Sequence, residues 1–523
     1  MPFKFIIIMK KSGILALFLG TLFSMSIAQN TSLNGPTVDM ERNARLWVLD
    51  DNDDQIVFAT LQPGIPGGYE DFLIHRYDKR AHSIKTQKLD DDLDCRFAYL
   101  YNDQVIAVKR GMDSKTKSVD YLKAPVPAIV SDKAIKKLPF TSFYQVPLEG
   151  YKYSFCSTVF SPDHSKFAIL TILKPKSYKQ ISHVEDVAVF ENNGELLWHQ
   201  RQNANWVVND EMTFYLSDEG VAYLAEYGSY YNAYLHQTDS LHISVYNNGD
   251  IWNYAEGFGA KALFDCGKAL LKDGRFVVCG VPCLNNRNSE QLITYFVSPD
   301  GDVEKEESSF EFPFNDEFRY EYNEFNSGFE KFLPYIFDIK ELNDGKLMLV
   351  GELNYRTQVG TTVTIGASFG VDDIMGYVSR NLFVTTLSDK GEVLTTYAYP
   401  RATSTPEIRN KVYNHNTPDV FMHDGDFWLI YNDHKDNFAP NNKIWHLLHN
   451  NQAGNVSVVV TKALQQGEFN AKTIFTAGKS PYLQTSPYSG QYEFFHKILS
   501  NDDDAVYYLI KYDNHFHVER ITW

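Results

Sequence analysis

Short apolar runs recur along most of the chain and are separated by polar turns. The runs FAILTIL (167–173), DVAVF (186–190) and NLFVTTL (381–387) are examples, and helix-type apolar spacing is scarce. Tyr and Phe are abundant, with 33 and 36 residues. Short runs rich in β-branched and aromatic residues are typical of buried strands. The pattern therefore predicts an all-β chain.

Two kinds of polar turn alternate along the chain and divide it into units. One kind carries an aspartate, at Asp163, Asp218, Asp273, Asp344 and Asp424. The other carries a glycine, at Gly194, Gly249, Gly301, Gly391 and Gly454. Strand-like runs flank both kinds, so each unit reads as two hairpins, or four antiparallel strands A, B, C and D. The units recur about every 55 to 80 residues.

Weaker copies of this unit lie at both ends of the chain. The segments 47–60 and 72–86 make one copy, and 97–110 and 128–137 make another. The C-terminal segment offers only three strands, which a strand near 37–48 would complete. Four-stranded sheets at this spacing are typical of a β-propeller, because radial packing buries their faces and leaves only short edges. We predict an all-β propeller of seven or eight four-stranded antiparallel blades, with its ring closed by the N- and C-terminal strands.

The first residues read as a secretory leader. Lys10 and Lys11 precede the apolar run Ile14–Phe23, and small residues follow it. This arrangement predicts a signal peptide over 1–29, and the run is too short for a stable membrane span. The rest, 30–523, is predicted to be one β-propeller domain that is secreted or periplasmic.

The charge of the chain disfavours one class of partner. The formal net charge is -17, and removal of a leader containing Lys4, Lys10 and Lys11 makes it -20. A surface this acidic repels phosphate backbones, so we expect no nucleic acid partner.

The five cysteines are Cys95, Cys156, Cys266, Cys279 and Cys283. The spacing CGVPC fits neither a redox motif nor a zinc site, so we interpret them as buried small residues with one or two bridges among them. We predict no metal site and no cofactor.

Loop length distinguishes the two faces of the predicted disc. In an up-and-down blade the A–B and C–D turns emerge on one face, and the B–C and D–A connections emerge on the other. The long connections are predicted at 227–239, 305–333, 354–377, 400–416 and 462–490. All are of the B–C or D–A kind, and long loops on a rigid scaffold usually carry function. We therefore predict that this face binds the ligand.

Several of these connections are dense in aromatic residues mixed with polar ones. Rigid aromatics among polar groups suit contacts with proteins and stacking on sugar rings. This favours a non-catalytic propeller that binds a protein, peptide or glycan, and packing of the loops over the blades is the alternative. The candidate ligand-binding residues are Tyr230, Tyr231, Tyr234, Tyr320 and Tyr322.

Acids on the same face carry the alternative function, a carbohydrate-active hydrolase or lyase. Glu352, Asp372 and Asp433 are candidate catalytic carboxylates, with His434 beside the last of them. A glycoside-active site needs two such groups within reach of one bond. The alternative for YNDHKDN (431–437) is a capped polar turn.

The sequence does not match the motifs of a calcium-binding loop, a serine hydrolase, a nucleotide-binding loop or a zinc metalloprotease. Asp50, Asn52 and Asp54 match the first ligand spacings of a calcium loop, but Gln55 and Leu61 stand where its glycine and glutamate belong. G-x-S-x-G, Walker A and H-E-x-x-H motifs are absent.

Residues 154–461 resemble a group of secreted bacterial β-propeller-like repeat proteins. The resemblance is carried by FSPD (160–163), GEL (351–353) followed by DDIMGY (372–377), TTLSDKGEVL (385–394) and DFWLIYNDHKDN (426–437). FSPD is also similar to the blade phrase of TolB-like propellers. That group has no assigned activity, so the resemblance implies a propeller and export alone.

Overall fold

The structure is a computed structural model that describes most of the chain after residue 35. The described residues are 36–38, 45–62, 71–89, 95–113, 117–127, 134–176, 183–204, 212–229, 238–258, 262–284, 287–288, 291–310, 319–320, 333–365, 369–408, 411–412, 418–423, 426–438, 444–445, 448–449, 456–463, 472–476, 496–501, 505–512 and 515–522. The predicted leader and the connections at 230–237, 321–332 and 477–495 lie outside them.

The first half of the described chain forms strands β1 to β19, which are listed here in order. They are β1 (Thr37–Val38), β2 (Arg45–Asp51), β3 (Gln55–Gln62), β4 (Asp71–Asp78), β5 (Ser83–Leu89), β6 (Cys95–Tyr101), β7 (Gln104–Asp113), β8 (Ser118–Pro125), β9 (Thr141–Pro147), β10 (Tyr151–Phe160), β11 (Lys166–Pro175), β12 (His183–Glu191), β13 (Leu196–Ala204), β14 (Thr213–Leu216), β15 (Ala222–Ser229), β16 (Thr238–Asn247), β17 (Asp250–Gly257), β18 (Ala262–Leu270) and β19 (Phe276–Leu284).

The second half forms strands β20 to β37 and one short 3-10 helix, Lys435–Phe438. The strands are β20 (Arg287–Asn288), β21 (Gln291–Val297), β22 (Val303–Ser309), β23 (Arg319–Tyr320), β24 (Leu333–Glu341), β25 (Leu347–Ile365), β26 (Phe369–Leu387), β27 (Val393–Ile408), β28 (Lys411–Val412), β29 (Asp419–His423), β30 (Asp426–His434), β31 (Ile444–Trp445), β32 (Leu448–His449), β33 (Val456–Lys462), β34 (Lys472–Thr476), β35 (His496–Asn501), β36 (Ala505–Tyr512) and β37 (His515–Thr522).

Within the described ranges these strands build one two-stranded sheet and eight larger sheets, and each larger sheet has four antiparallel strands that follow chain order, except that β1 completes the last one. Sheet 1 is β2–β5, sheet 2 is β6–β9, sheet 3 is β10–β13 and sheet 4 is β14–β17. Sheet 5 is β18, β19, β21 and β22; sheet 6 is β24–β27; sheet 7 is β29, β30, β33 and β34; and sheet 8 is β35, β36, β37 and β1. Five short strands add to this plan: β20 pairs with β19, β28 and β32 pair with β27, and β23 and β31 pair with each other. The prediction of a β-rich fold of repeated hairpins is confirmed.

Consecutive sheets pack face against face, which is the packing of a β-propeller. The strand β11 shows why its sequence is a continuous apolar run. Phe167, Ile169 and Leu173 pack against sheet 2, whereas Leu170 and Ile172 pack against sheet 4. A strand buried on both faces cannot alternate apolar with polar residues, and each such side chain contributes roughly 1.5–3 kcal/mol on burial.

The two ends of the chain meet at sheet 8. Thr37 and Val38 pair with His517 and Phe516 of β37. The predicted completion of the last sheet by an N-terminal strand is therefore confirmed. Ile56 and Phe58 of sheet 1 share an apolar cluster with residues of sheet 8, such as Leu509.

The glycines and aspartates that recur in the turns have a structural role, because they allow or stabilise the backbone conformation of each turn. Gly301 has φ +86°, and a Cβ built on it would lie 2.2 Å from the ring of Trp252. No larger residue fits this turn without strain. Asp273 accepts a hydrogen bond from the Arg275 amide at 3.0 Å, which closes its own turn. The run at 50–54 is likewise a turn, in which Asn52 Oδ1 accepts hydrogen bonds from the amides of Asp54 and Gln55.

The predicted boundaries fail in two sheets. In sheet 2, strands C and D are β8 and β9, so the predicted strand pair at 128–137 is wrong, and the C–D connection 126–140 is long. In sheet 7, β30 pairs with β33, so Gly454 precedes strand C and does not lie in the C–D turn. The C–D connections 126–140 of sheet 2 and 463–471 of sheet 7 therefore leave the face that was predicted to carry short turns.

All five predicted connections overlap regular strand: 227–239 does so only at its two ends, and 305–333 contains β23. The predicted loop 354–377 is a continuation of β25 and β26 as a paired hairpin. β27 continues to Ile408 into the predicted connection 400–416, and β34 lies inside the predicted connection 462–490. No helix in the described part of the chain is long and apolar enough to cross a membrane.

The cysteines differ from the prediction of one or two bridges. Cys95, Cys156, Cys266 and Cys279 are thiols rather than disulfides. Burial raises the pKa of the Cys279 thiol to about 12, and its Sγ lies 3.1 Å from Thr294 Oγ1. Such a thiol is a packing residue and a poor nucleophile.

Candidate functional site

Glu352, a predicted catalytic acid, is fully buried in strand B of sheet 6. Arg401 of strand D donates from Nη1 to Glu352 Oε2 at 2.6 Å, and both side chains are at most 1% exposed. Arg401 Nε also donates to the backbone oxygen of Asn432 in sheet 7, at 3.3 Å. The acid therefore belongs to an internal ion pair that links two sheets.

Asp433 and His434 end strand B of sheet 7 and begin a 3-10 turn. Asp433 is buried, and its Oδ1 accepts hydrogen bonds from the His434 amide at 2.7 Å and from Asn437 Nδ2 at 2.9 Å. The Nδ1 of His434 lies 3.7 Å from Asp436 Oδ2. This geometry is that of a side chain that closes a turn. Because Asn432 binds Arg401, the structure brings this turn near Glu352.

The remaining predicted site residues lie elsewhere or outside the described part. Asp372 pairs with Thr362 in the β25–β26 hairpin, whereas Glu352 pairs with Leu382. Ten residues of extended strand separate the two pairs, which corresponds to roughly 30 Å along the hairpin. Tyr320 lies in β23, which pairs with β31. Tyr230, Tyr231, Tyr234 and Tyr322 lie outside the described residues.

A second polar cluster, which the sequence did not predict, lies between sheets 3 and 4. His183 and Glu185 stand two apart on β12 and so share one face of the sheet, and Glu226 comes from strand B of sheet 4. His183 Nε2 lies 2.9 Å from Glu185 Oε1 and 3.6 Å from Glu226 Oε1. All three side chains are at most 1% exposed. We call these three residues the His–Glu–Glu cluster.

Neutral donors hold the second oxygen of Glu185. Tyr246 Oη donates to Glu185 Oε2, and Gln202 Nε2 donates to the same oxygen at 2.7 Å. Burial, followed by the charge of Glu185, raises the pKa of Tyr246 well above its ordinary value, so its hydroxyl keeps its proton. The carboxylate of Glu185 is therefore fixed in orientation.

The histidine of the cluster responds to its acidic neighbours. Burial alone disfavours the charged imidazolium, but hydrogen bonds and charges from Glu185 and Glu226 outweigh burial and raise the pKa of His183 to about 9. Near neutral pH the cluster holds one imidazolium facing two acids. In the described part of the chain, this is the one group whose His, Cys, Asp or Glu donor atoms are placed to hold a metal ion, within 4.8 Å of one another.

The opposite face of β12 carries a related but different group. Asp186 accepts hydrogen bonds from Tyr144 Oη at 2.5 Å and from His199 Nε2 at 3.0 Å. Arg201 Nε lies 3.9 Å from Asp186 Oδ2. The single carboxylate of Asp186 therefore has a positively charged neighbour, Arg201, and a neutral donor, Tyr144.

The sequence carried only a faint signal for the His–Glu–Glu cluster. His183, Glu185 and Asp186 interrupt the apolar run HVEDVAVF (183–190), and Glu226 interrupts VAYLAEYG (221–228) in the same way. Charged residues in a strand buried on both faces must have partners. The partners stand in different sheets, however, so no local motif joins them.

Comparisons with known proteins show no family. No protein-family model matches the chain, and no curated protein matches it. Among solved structures, it is similar to the β-propeller domain of the Trilobed protease from Pyrococcus furiosus, with 12% identity and a TM-score of 0.29 over 66% of this chain and 94% of that one.

Two carbohydrate-related structures show a similar weak likeness. The α-L-arabinanase of Penicillium chrysogenum complexed with arabinobiose has 10% identity and a TM-score of 0.31, over 71% of this chain and 93% of that one. The polysaccharide lyase Uly1 has 9% identity and a TM-score of 0.32, over 91% and 89%. Scores this low carry no argument about the activity of this chain.

Proposed function

We propose that this chain is an exported, non-catalytic binding protein built as a closed ring of eight blades. The face that carries the B–C and D–A connections binds a protein, peptide or glycan. Ring closure is supported by the pairing of Thr37 and Val38 with β37 and by the apolar cluster shared by sheets 1 and 8. Export is supported by the leader-like pattern of the first residues.

The observation that carries this proposal is the state of the candidate acids. Glu352 is 1% exposed and neutralised by Arg401, and Asp433 is buried and accepts two donors from its own turn. A glycosidase needs one carboxyl group that meets the leaving-group oxygen and another that meets the sugar or a water. Buried carboxylates with internal partners support a structural role, so ligand contact falls to the connections around them.

The proposal is tested with the mature chain from residue 30. Binding is measured on a glycan array and on a peptide array, followed by titration calorimetry with the best probe from either. Two variants remove the candidate aromatics, one with Tyr230, Tyr231 and Tyr234 changed to Ala and one with Tyr320 and Tyr322 changed to Ala. We expect at least one of them to bind about tenfold more weakly or worse, because exposed aromatics dominate such contacts.

Matched control variants lie on the opposite face. Leu196 and Leu394 are 45% and 46% exposed and follow C–D turns. Leu196→Ala and Leu394→Ala should bind as the parent does. If all four variants lose the same amount of ligand affinity, or if the parent binds nothing on either array, then the proposal that this face binds the ligand is wrong.

A turnover assay distinguishes the non-catalytic binding protein from the alternative, a carbohydrate-active hydrolase or lyase. Soluble polysaccharides, arabinan among them, are incubated with the protein and checked for new reducing ends and for unsaturated sugar products. We expect none. Product formation that disappears in Asp433→Asn would replace the binding proposal with the carbohydrate-active alternative.

A further inference from the structure

The spacing of the His–Glu–Glu cluster suits a bound metal ion. Ligand atoms around an ion with bonds of about 2.1 Å lie roughly 3–3.4 Å apart. The distances from His183 Nε2 to the two carboxylates, 2.9 and 3.6 Å, bracket this range, and all three donor atoms fall within 4.8 Å of one another. An ion would need only small side-chain adjustments.

The donor set and the burial of the cluster also suit a cation. One imidazole and two carboxylates from two sheets meet in a site that is at most 1% exposed. Buried charges are stable when they are paired or when they coordinate a metal.

The surroundings of the cluster match those of a built ligand set. Tyr246 and Gln202 hold Glu185 Oε2 and leave Oε1 directed at His183. Hydrogen bonds of this kind fix the orientation of metal-binding carboxylates. His183 and Glu185 share one strand and Glu226 stands on another, so the ligands have rigid supports.

We propose that His183, Glu185 and Glu226 bind one divalent transition-metal ion, with zinc as the best-fitting class, and that this ion joins sheets 3 and 4. Imidazole nitrogen and carboxylate oxygen are both zinc ligands, and three protein ligands leave one position for water. Calcium and magnesium prefer oxygen ligands alone, so they fit this site less well. This inference is independent of the proposed binding face.

The first experiment uses the mature chain without a polyhistidine tag, dialysed against a chelator. Titration calorimetry with ZnCl₂ and MnCl₂ should show one tight equivalent per chain, and CaCl₂ should bind far more weakly or not at all. Because the ion binds the folded state, zinc should also raise the melting temperature by several degrees.

Substitutions in the His–Glu–Glu cluster test whether the tightly bound zinc ion is held there. His183→Gln and Glu226→Gln should each weaken zinc binding by at least about 100-fold, and Tyr246→Phe by about 10-fold. Asp186→Asn is the matched control, since Asp186 is a buried carboxylate next to Glu185 on the same strand but faces sheet 2. It should keep the tight equivalent. Circular dichroism confirms that each variant is folded.

A measurement on the parent chain keeps the test valid if the variants unfold. X-ray absorption at the zinc edge should show nitrogen and oxygen neighbours at about 2.0–2.1 Å and no sulfur. The proposal is overturned if the parent binds no stoichiometric zinc, if His183→Gln and Glu226→Gln bind as the parent does, or if sulfur is found. In each of those cases the cluster is an ion-pair network without a metal.

Discussion

Two polar clusters stand between consecutive sheets, and they differ in charge balance. Between sheets 6 and 7, Glu352 faces Arg401 one to one, and both are buried. Between sheets 3 and 4, one imidazole faces two carboxylates. The first cluster pairs one cation with one acid, whereas the second brings two acids to one imidazole, which is a donor set that can bind a metal ion. The difference separates a structural ion pair from a candidate ligand site.

The largest effect is expected from breaking the balanced pair. Glu352→Gln leaves Arg401 as a buried charge without its carboxylate, and should lower the free energy of unfolding by about 3–5 kcal/mol. Urea unfolding of the mature chain measures this.

The double variant Glu352→Leu with Arg401→Met is the control, because it removes both charges and should recover most of the loss. Arg80→Met, which breaks the exposed pair with Asp54, should change nothing measurable. If Glu352→Gln is as stable as the parent, then the pair is not a structural element of this interface.

Removing a donor from the His–Glu–Glu cluster should have a smaller effect. Tyr246→Phe deletes the hydroxyl that donates to Glu185 and keeps the ring in its apolar cluster. The lost hydrogen bond to a charged group should cost about 1.5–3 kcal/mol in urea unfolding. Tyr223→Phe serves as the buried-tyrosine control, because its hydroxyl donates to the backbone oxygen of Gly274 and not to a charged group, and an equal loss there would show that the effect is not specific to the cluster.

A histidine without acidic partners should respond to pH in the opposite sense to His183. His75 is buried in sheet 1 between Thr60 and Thr86 hydroxyls at 2.9 Å, and burial lowers its pKa to about 3. Its pKa is below that of the unfolded chain, so its contribution to stability is present above pH 6.5 and is lost as the pH falls. Between pH 6.5 and 5 the loss should be about 2 kcal/mol.

Unfolding curves of the parent and of His75→Gln over this pH range check the prediction. The variant should lose less stability on acidification than the parent does. Parallel curves would show that His75 does not set the acid response.

The smallest change in stability is expected when one of the two acids that face His183 is neutralised. Glu226→Gln removes one of two carboxylates and leaves a balanced pair of His183 and Glu185. In metal-free protein we expect a change below about 1 kcal/mol, in contrast to Glu352→Gln. A loss as large as that of Glu352→Gln would mean that both acids are already compensated, and would end the contrast between the two clusters.

The repeat could be predicted from sequence because its turns are local. Each hairpin brings together residues that are close in the chain, and glycines such as Gly301 mark turns that only glycine fits. Prediction failed where a polar stretch interrupts a sheet. YNDHKDN ends β30, and the chain then runs to Val456 before strand C, so Gly454 was assigned to the wrong turn.

The candidate site was harder to predict for a physical reason. Glu352 and Asp433 were predicted as candidate catalytic acids because they stand near the ends of strands on one face, whereas their partners Arg401 and Asn437 are visible only in the structure. The His–Glu–Glu cluster joins two sheets across an interface that local patterns do not specify. Side-chain partners between sheets follow from packing, which periodicity does not encode.

The pairing of β1 with β37 has a consequence for how the molecule matures. The segment Thr37–Val38 leaves the ribosome long before its partner strand His515–Thr522, because more than 470 residues separate the two. Such a long-range contact forms slowly, because the intervening chain must be ordered first. Until β37 has been synthesised, β36 keeps an open edge, and an unpaired strand edge exposes a growing chain to aggregation and to proteases.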